Sequence, residues 1–253
     1  MQHIVSKDIL NNKDQKLANI YIEANDICFV WLCGFHSDMD GSKALMMEQT
    51  AQEIGFSSLR FDYSGHGKSE GEFEEGTISQ WFNDAIRVIE SYDLKKIILV
   101  GSSMGGWISI KLAQHFKEAV KAMVLIAPAP DFTQDLMWNK FSEEIKKQIQ
   151  KQGFWLRPSP YDENGYKVTK ELIEDGNNNS VLKRPIEFEK PVRIIHGALD
   201  EDVPFMRSID LMQKITSDDI RLNIIKNADH RLSNQSDLEI LRATLKEIAN
   251  AIL

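Results

Sequence analysis

Residues 97–108 constrain this chain more than any other stretch. Ile97, Ile98, Leu99 and Val100 form an unbroken branched apolar run, the pattern of a strand buried on both faces in a parallel sheet. Gly101-Ser102-Ser103-Met104-Gly105 follows at once, and Trp107 to Ala113 reads as an apolar-rich helix. A Gly-x-Ser-x-Gly turn between strand and helix lifts its middle residue, Ser103, to the apex of a sharp bend. Such a bend holds the serine in a sparsely populated backbone region, at a cost of roughly 1–3 kcal/mol. Gly101 and Gly105 flank it because a Cβ at either would collide with the neighbouring strand or helix. An ordinary glycine-rich turn would share those glycines, so the meaning of Ser103 depends on what other loops bring beside it.

With 253 residues, 42% of them hydrophobic, the chain can bury one sizeable core. A formal net charge of −8 argues against nucleic acid or an anionic membrane as the main partner. Cys28 and Cys33 share one apolar run, and an extended strand would hold them too far apart for a disulfide. No stretch is long and apolar enough to span a bilayer, so stable membrane insertion is not expected. Residues 1–14 show neither an apolar signal core nor the Arg-rich, acid-poor character of a transit peptide. A reducing, cytoplasmic setting is therefore expected.

Strands and helices alternate along the chain. Residues 16–23 alternate in polarity and predict an edge strand or hairpin arm. The continuous apolar run 27–33 predicts a central strand, which feeds the polar loop 34–41. A helix over 43–54 stops at Gly55, a short strand covers 57–62, and a glycine turn occupies 63–69. Thr77 is placed to cap a helix reaching about residue 92. After the strand and turn at 97–105, a further strand is expected at 122–126. The rhythm then breaks. Residues 131–185 contain no good central strand, are polar-helical over 143–152, and carry Trp138, Phe141, Phe154, Trp155, Tyr161 and Tyr166. Gly176 to Ser180 reads as a loop. Strand, helix, strand and helix resume over 191–196, 205–215, 220–225 and 237–252. The pattern predicts an α/β fold, a mostly parallel sheet with helices on both faces. Residues 1–130 and 186–253 form its core, and residues 131–185 are an inserted helical lid.

In such a sheet, ligands collect at the carboxyl ends of the strands. A nucleophilic serine needs a base, and the base an orienting carboxylate. The strand at 192–196 ends in His196-Gly197-Ala198-Leu199-Asp200, and the strand at 220–225 leads to Asp229-His230. The order Ser103, Asp200, His230 is the Ser…acid…His order of α/β-hydrolases. Nearly the whole chain resembles that family. Gly101 to Gly106 resembles its serine turn, His196-Gly197-x-x-Asp200-x-x-Val203-Pro204 its acid loop, Asp229-His230 its histidine position, and Arg60 to Ser69 its loop after the fourth strand. Gly34 to Ala44, Gly101 to Trp107, and Asp229-His230-Arg231 ahead of Ser233 are similar to the branch of mitochondrial acyl-protein (palmitoyl) thioesterases and acyl-glucuronide esterases.

The resemblance implies ester or thioester hydrolysis without a cofactor. Ser103 would attack the acyl carbonyl, His230 would act as general base, and Asp200 would orient it. The amides of Met104 and Phe35 would form the oxyanion hole. The implied substrate is a small-molecule or protein-linked acyl ester or thioester, handled by a monomer or weak homo-oligomer. A serine peptidase or amidase of the same fold is the alternative within enzymes. A ligand-binding protein with a silent site is the alternative outside them.

Other polar residues compete for these roles. Ser102 is displaced by its second place in the motif. Asp202 is the alternative acid, disfavoured by the interval between His196-Gly197 and Val203-Pro204. His196 ends a buried strand and reads as a hydrogen-bonded structural histidine. His66 and Asp62 read as parts of the turn at 63–69. His36 borders the oxyanion loop and, with Trp138 and Trp155, is a candidate substrate contact; together the lid aromatics suggest an apolar acyl or aryl pocket. Metal binding has little support, because His-x-x-x-His and Cys-x-x-Cys are absent. Gly101 to Gly106 is not followed by Lys-Ser or Lys-Thr, which speaks against a phosphate loop.

Overall fold

A computed structural model describes residues 3–159 and 162–253. One sheet contains β1 (His3–Val5), β2 (Asn19–Glu23), β3 (Ile27–Leu32), β4 (Ser57–Phe61), β5 (Lys96–Ser102), β6 (Val120–Ile126), β9 (Val192–Gly197) and β10 (Ile220–Ile225); β7 (Phe154–Ser159) and β8 (Asp162–Thr169) pair separately as a hairpin. The strand order is β1-β2-β4-β3-β5-β6-β9-β10. β2 is antiparallel to both β1 and β4, and every later pairing in the sheet is parallel. Continuous apolar runs become strands covered on both faces: β3 is buried at every residue and β5 at every residue after Lys96, and β9 is equally buried although it carries Arg193 and His196. β10 alternates between exposed and half-buried positions, as an edge strand should.

Seven α-helices accompany the strands among the described residues: α1 (Ser42–Ile54), α2 (Ile78–Ser91), α3 (Met104–His115), α4 (Glu143–Gln152), α5 (Lys170–Asn178), α6 (Met206–Lys214) and α7 (Gln235–Ala251). α1 and α7 pack on each other and cover β3, β4, β6 and β9. α3 lies against β3, β5 and β6, with α2 beside it. The helix ends follow local chemistry. The Thr77 hydroxyl accepts from the Gln80 amide at 3.1 Å, and Gly55 closes α1 in the left-handed region at φ 75°.

Two local expectations change. Of the two readings of residues 16–23, the edge falls and the hairpin arm stands, because β1 pairs antiparallel outside β2; a three-residue strand is too short to show a periodic signature. Gly176 to Asn178 are helical rather than a loop: α5 runs through them and Asn179 caps its end. Gly176 is buried there against Thr133, so its small size serves packing between segments and not a turn.

Between β6 and β9 the chain leaves the sheet. A π-helical turn (Thr133–Met137), a single 3₁₀ turn (Trp138–Lys140), α4, the β7–β8 hairpin and α5 follow in order. Tyr161 falls outside the described residues. Polar ties anchor the base of this segment. Asp131 accepts from the amides of Val181 at 2.9 Å and Leu182 at 3.1 Å. Asp175 accepts from the Ser79 amide at the start of α2 at 2.8 Å. Trp107 and Lys111 of α3 donate to Asn179 at 3.1 and 2.7 Å. Arg207 of α6 reaches the Pro130 carbonyl at 2.7 Å and Asp135 at 2.9 Å.

The turn after β4 buries an ionisable ring. His66 Nδ1 donates to the Ser64 carbonyl at 3.2 Å, and the imidazole sits among Tyr63, Phe73 and Trp81. Burial pushes its pKa from 6.5 down to about 4. The unfolded chain therefore takes up a proton below pH 6.5 that the folded chain refuses until about pH 4, so stability falls across that window as pH drops. The loss attributable to this ring is about 3 kcal/mol. His66→Asn, which keeps a donor near Nδ1, is expected to flatten that part of the profile in urea denaturation at stepped pH. An unchanged slope would assign the acid sensitivity elsewhere.

Candidate active site

Ser103 stands between β5 and α3 with φ 52° and ψ −115°, outside the regions that side-chain-bearing residues ordinarily occupy. Its amide donates to the Ile126 carbonyl at 2.9 Å, and its own carbonyl accepts from Gly106 at 2.9 Å and Ala129 at 3.0 Å. The first turn of α3 lies directly on the end of β3. A Cβ on Gly105 would stand 1.9 Å from the Leu32 carbonyl oxygen, so only glycine permits the approach.

Two loops converge on the serine. His230 Nε2 lies 3.1 Å from Ser103 Oγ, and His230 Nδ1 lies 2.7 Å from Asp200 Oδ2. The loops meet because β9 and β10 are paired as far as Gly197 and Ile225. Beyond the pair, the Ala198 and Leu199 amides donate to the Ile225 and Ala228 carbonyls, each at 2.9 Å. A Cβ on Gly197 would sit 2.3 Å from the Ala228 oxygen, so the His-Gly pair is what allows the acid and histidine loops to touch.

Asp200 accepts four hydrogen bonds. Oδ1 takes the amides of Asp202 at 3.0 Å and Val203 at 2.7 Å. Oδ2 takes His230 Nδ1 and, at 3.0 Å, His196 Nε2. Burial alone would push this carboxyl up, but the donors from His196 and His230 outweigh it and hold Asp200 well below the usual carboxylate range. The interval from Asp200 to Val203 thus has a physical reason, since the carboxylate folds back onto amides two and three residues on. Asp202 supplies its amide, while its side chain is exposed. One ligand atom from each of Asp200, Asp202 and His230 lies within 4.8 Å of the others. Of these, Asp200 already carries four donors and both His230 nitrogens are engaged, while the Asp202 carboxylate is exposed.

The loop after β3 forms the other wall. Gly34 packs against Ser103. Asp62 ties this loop to the turn after β4, accepting from Met39 at 2.7 Å and Lys68 at 2.9 Å. Arg60 donates to the Met39 carbonyl at 2.7 Å and pairs with Asp40 and Glu48. Lys43, at the start of α1, donates to the Arg231 carbonyl beside His230, and burial pushes its ammonium down to about 8. Met104 opens α3, where a helix has no internal acceptor for its first amides.

Of the aromatic candidates, His36 faces a cluster and the two tryptophans do not join it. His36, at φ 58°, stacks on Phe73 with centroids 3.6 Å apart and lies 4.6 Å from Tyr166 of β8. Phe35 meets Phe73, Trp81, Phe132 and Tyr166 edge-on. Among the described residues, the ring contacts of Trp155 and Trp138 are to Phe141 and Lys146 in the same segment. Sequence reading passes over Phe73 and Phe132. Each is an isolated aromatic in a turn, without the periodicity that would mark a face.

Gly197→Ala is expected to force the acid and histidine loops apart and to destabilise the protein by about 1–3 kcal/mol. The check is the His230 Nδ1 proton in the ¹H NMR spectrum, which should lose its strongly hydrogen-bonded downfield shift. A retained resonance would mean that the loops accommodate the methyl.

Comparison with known proteins agrees with this architecture. Residues 36–164 match the family model described as alpha/beta hydrolase fold. Palmitoyl-protein thioesterase ABHD10, mitochondrial, of Bos taurus is 33% identical over 255 residues, covering 99% of this chain and 82% of that protein. The Homo sapiens protein of the same name is 32% identical, covering 98% and 81%. Among solved structures, a putative hydrolase from Agrobacterium vitis S4 has a TM-score of 0.90 at 37% identity, covering 98% of both chains. Mouse alpha/beta hydrolase domain-containing protein 10 has a TM-score of 0.87 at 30% identity, covering 99% of this chain and 98% of its own. These relatives overturn the cytoplasmic expectation, because their names place them in mitochondria. That expectation rested on what residues 1–14 lack, and a missing pattern carries no address of its own. Among the described residues, no helix is long and apolar enough to cross a membrane. The chain belongs to the α/β-hydrolase family and is a hydrolase.

Proposed function

We propose that the protein is a serine hydrolase that cleaves acyl thioesters and carboxylic esters through an acyl-enzyme on Ser103. The observation that carries this reading is the hydrogen-bonded line from Ser103 Oγ through His230 to Asp200 Oδ2, at 3.1 and 2.7 Å. Ser103 Oγ attacks the acyl carbon as its proton passes to His230 Nε2. The ionised Asp200 stabilises the imidazolium and keeps its Nδ1–H in place. Charge developing on the carbonyl oxygen is met by the Met104 and Phe35 amides, aided by the positive end of α3. Collapse of the tetrahedral adduct expels a thiolate or alkoxide, which recovers the proton from His230. Water then attacks the acyl-enzyme with His230 again as base, releasing the carboxylic acid and restoring Ser103.

Residues 131–185 act as a lid over this centre, a role supported by the contacts of Phe132 and Tyr166 with Phe35. His36, stacked between Phe73 and Tyr166, borders the acyl or aryl group. The names of the relatives favour a thioester, small or protein-linked, as substrate. A thiolate leaves with less need of a proton than an amine does, which suits a site whose acid is a single imidazolium.

A fluorophosphonate probe should label the wild type and fail on Ser103→Ala; a folded wild type that stays unlabelled would refute the mechanism. Asp200→Asn is expected to lower kcat by about 10⁴, while Asp202→Asn stays near wild type. The reverse ranking would move the acid to Asp202. On thioesters, p-nitrophenyl esters and amides of matched chain length, the amide should be the slowest. Faster amide turnover would make the enzyme an amidase.

A further inference from the structure

His196 has no role in the reaction as described, yet it touches the same carboxylate oxygen as His230. Its ring is fully buried. Nε2 lies 3.0 Å from Asp200 Oδ2 and 2.8 Å from the Val203 carbonyl, and Nδ1 lies 2.6 Å from Ser208 Oγ of α6. Both neighbours of Nε2 are acceptors, so the ring proton must sit on Nε2, and the Ser208 hydroxyl must donate to Nδ1. One tautomer alone satisfies every partner.

We infer that His196 is a positioning residue for the Ser103–His230–Asp200 array, aiming Asp200 Oδ2 at His230 and limiting its basicity. The inference rests on the serine-hydrolase reading above. Its physical content has two parts. A carboxylate held at Oδ1 by two amides from its own loop can still pivot, and the His196 donor fixes the second oxygen from a different element. The same donor draws charge from Oδ2, the atom on which His230 leans when it becomes imidazolium. The less basic Oδ2 is, the less it stabilises a charge on the imidazole that leans on it. Ser208 strengthens the effect, because a hydrogen bond donated into Nδ1 polarises the ring and sharpens its Nε2–H.

Few other charges bear on Asp200 at this distance. It is faced by His196 from β9 and by His230 from the loop after β10. On its own loop it is faced by the Asp202 and Val203 amides, with the Asp202 carboxylate within the same 4.8 Å cluster and Glu201 exposed. From α6, His196 meets the uncharged Ser208, while the adjacent Arg207 is engaged by Pro130 and Asp135.

The test compares His196→Leu, His196→Gln and Ser208→Ala with wild type. The pH dependence of Ser103 labelling by a fluorophosphonate and the titration of the His230 Nδ1 proton by NMR are read for each. His196→Leu removes the donor and keeps bulk; it should label about ten- to a hundredfold more slowly. Its acid limb should move up by about half a pH unit or more. His196→Gln retains an N–H near the position of Nε2 and should restore most of the rate and the limb. Ser208→Ala should shift the limb in the same direction by less. A wild-type limb and rate in folded His196→Leu, or a wild-type limb in Ser208→Ala should His196→Leu not fold, would overturn the inference. So would His196→Gln that melts like wild type yet is as slow as His196→Leu. If wild type labels at Ser103 but hydrolyses neither thioester nor ester, the substrate reading falls and the role of His196 stands. If wild type does not label, both fall.

Discussion

A serine held against its own backbone preference sets the geometry of everything around it. Ser103 at φ 52° and ψ −115° would relax if it could, at a gain of roughly 1–3 kcal/mol. Three backbone hydrogen bonds prevent it, to Ile126 on one side and from Gly106 and Ala129 on the other. These partners belong to or adjoin β6 and α3, which are among the most deeply buried elements of the molecule. The strain is therefore sustained by the parallel sheet, and Ser103 inherits the rigidity of that sheet. The loops after β3, β9 and β10 deliver their groups to a fixed point.

This arrangement explains which parts of the molecule were legible in the amino-acid sequence. β3 and the stretches 97–100 of β5 and 122–126 of β6 are covered on both faces and continuously apolar, and the runs announce them, whereas β9 buries Arg193 and His196 by pairing them. The serine turn and the acid loop were legible for a related reason. Crowded backbone leaves glycine no substitute at Gly105 and Gly197, and the fold-back of Asp200 onto Val203 fixes a spacing. β1 was missed because three residues cannot show a period. The end of α5 reads as a loop because Gly176-Asn177-Asn178 carries loop chemistry, whereas burial against Thr133 rewards a small residue there. Tertiary packing overrode local propensity. The aromatic contacts of His36 were illegible, since Phe73 and Tyr166 come from distant segments that only the fold brings together.

The segment 131–185 joins the core by two kinds of contact with different consequences. At its base, Asp131, Asp175, Asn179 and Asp135 make directional hydrogen bonds to α2, α3, α6 and the returning chain. Against the loop after β3 its contacts are faces and edges of rings, Phe132 and Tyr166 against Phe35 and His36. Directional bonds resist sliding, while ring contacts tolerate small displacements and exchange readily for an apolar ligand. The division places directional bonding at the base of the segment and ring packing where it meets Phe35 and His36.

The same division of labour recurs at the level of single atoms on Asp200. Two imidazoles share Oδ2, and burial separates their roles. His196 is sealed among Asp200, Val203 and Ser208. The side chain of His230 is 23% exposed and its Nε2 faces Ser103. A carboxylate serving only the second ring would be free to rotate and would be more basic. One serving only the first would be a structural acid. Tied to both, Asp200 Oδ2 is held from two directions, by a sealed imidazole on β9 and by a partly exposed one from the loop after β10.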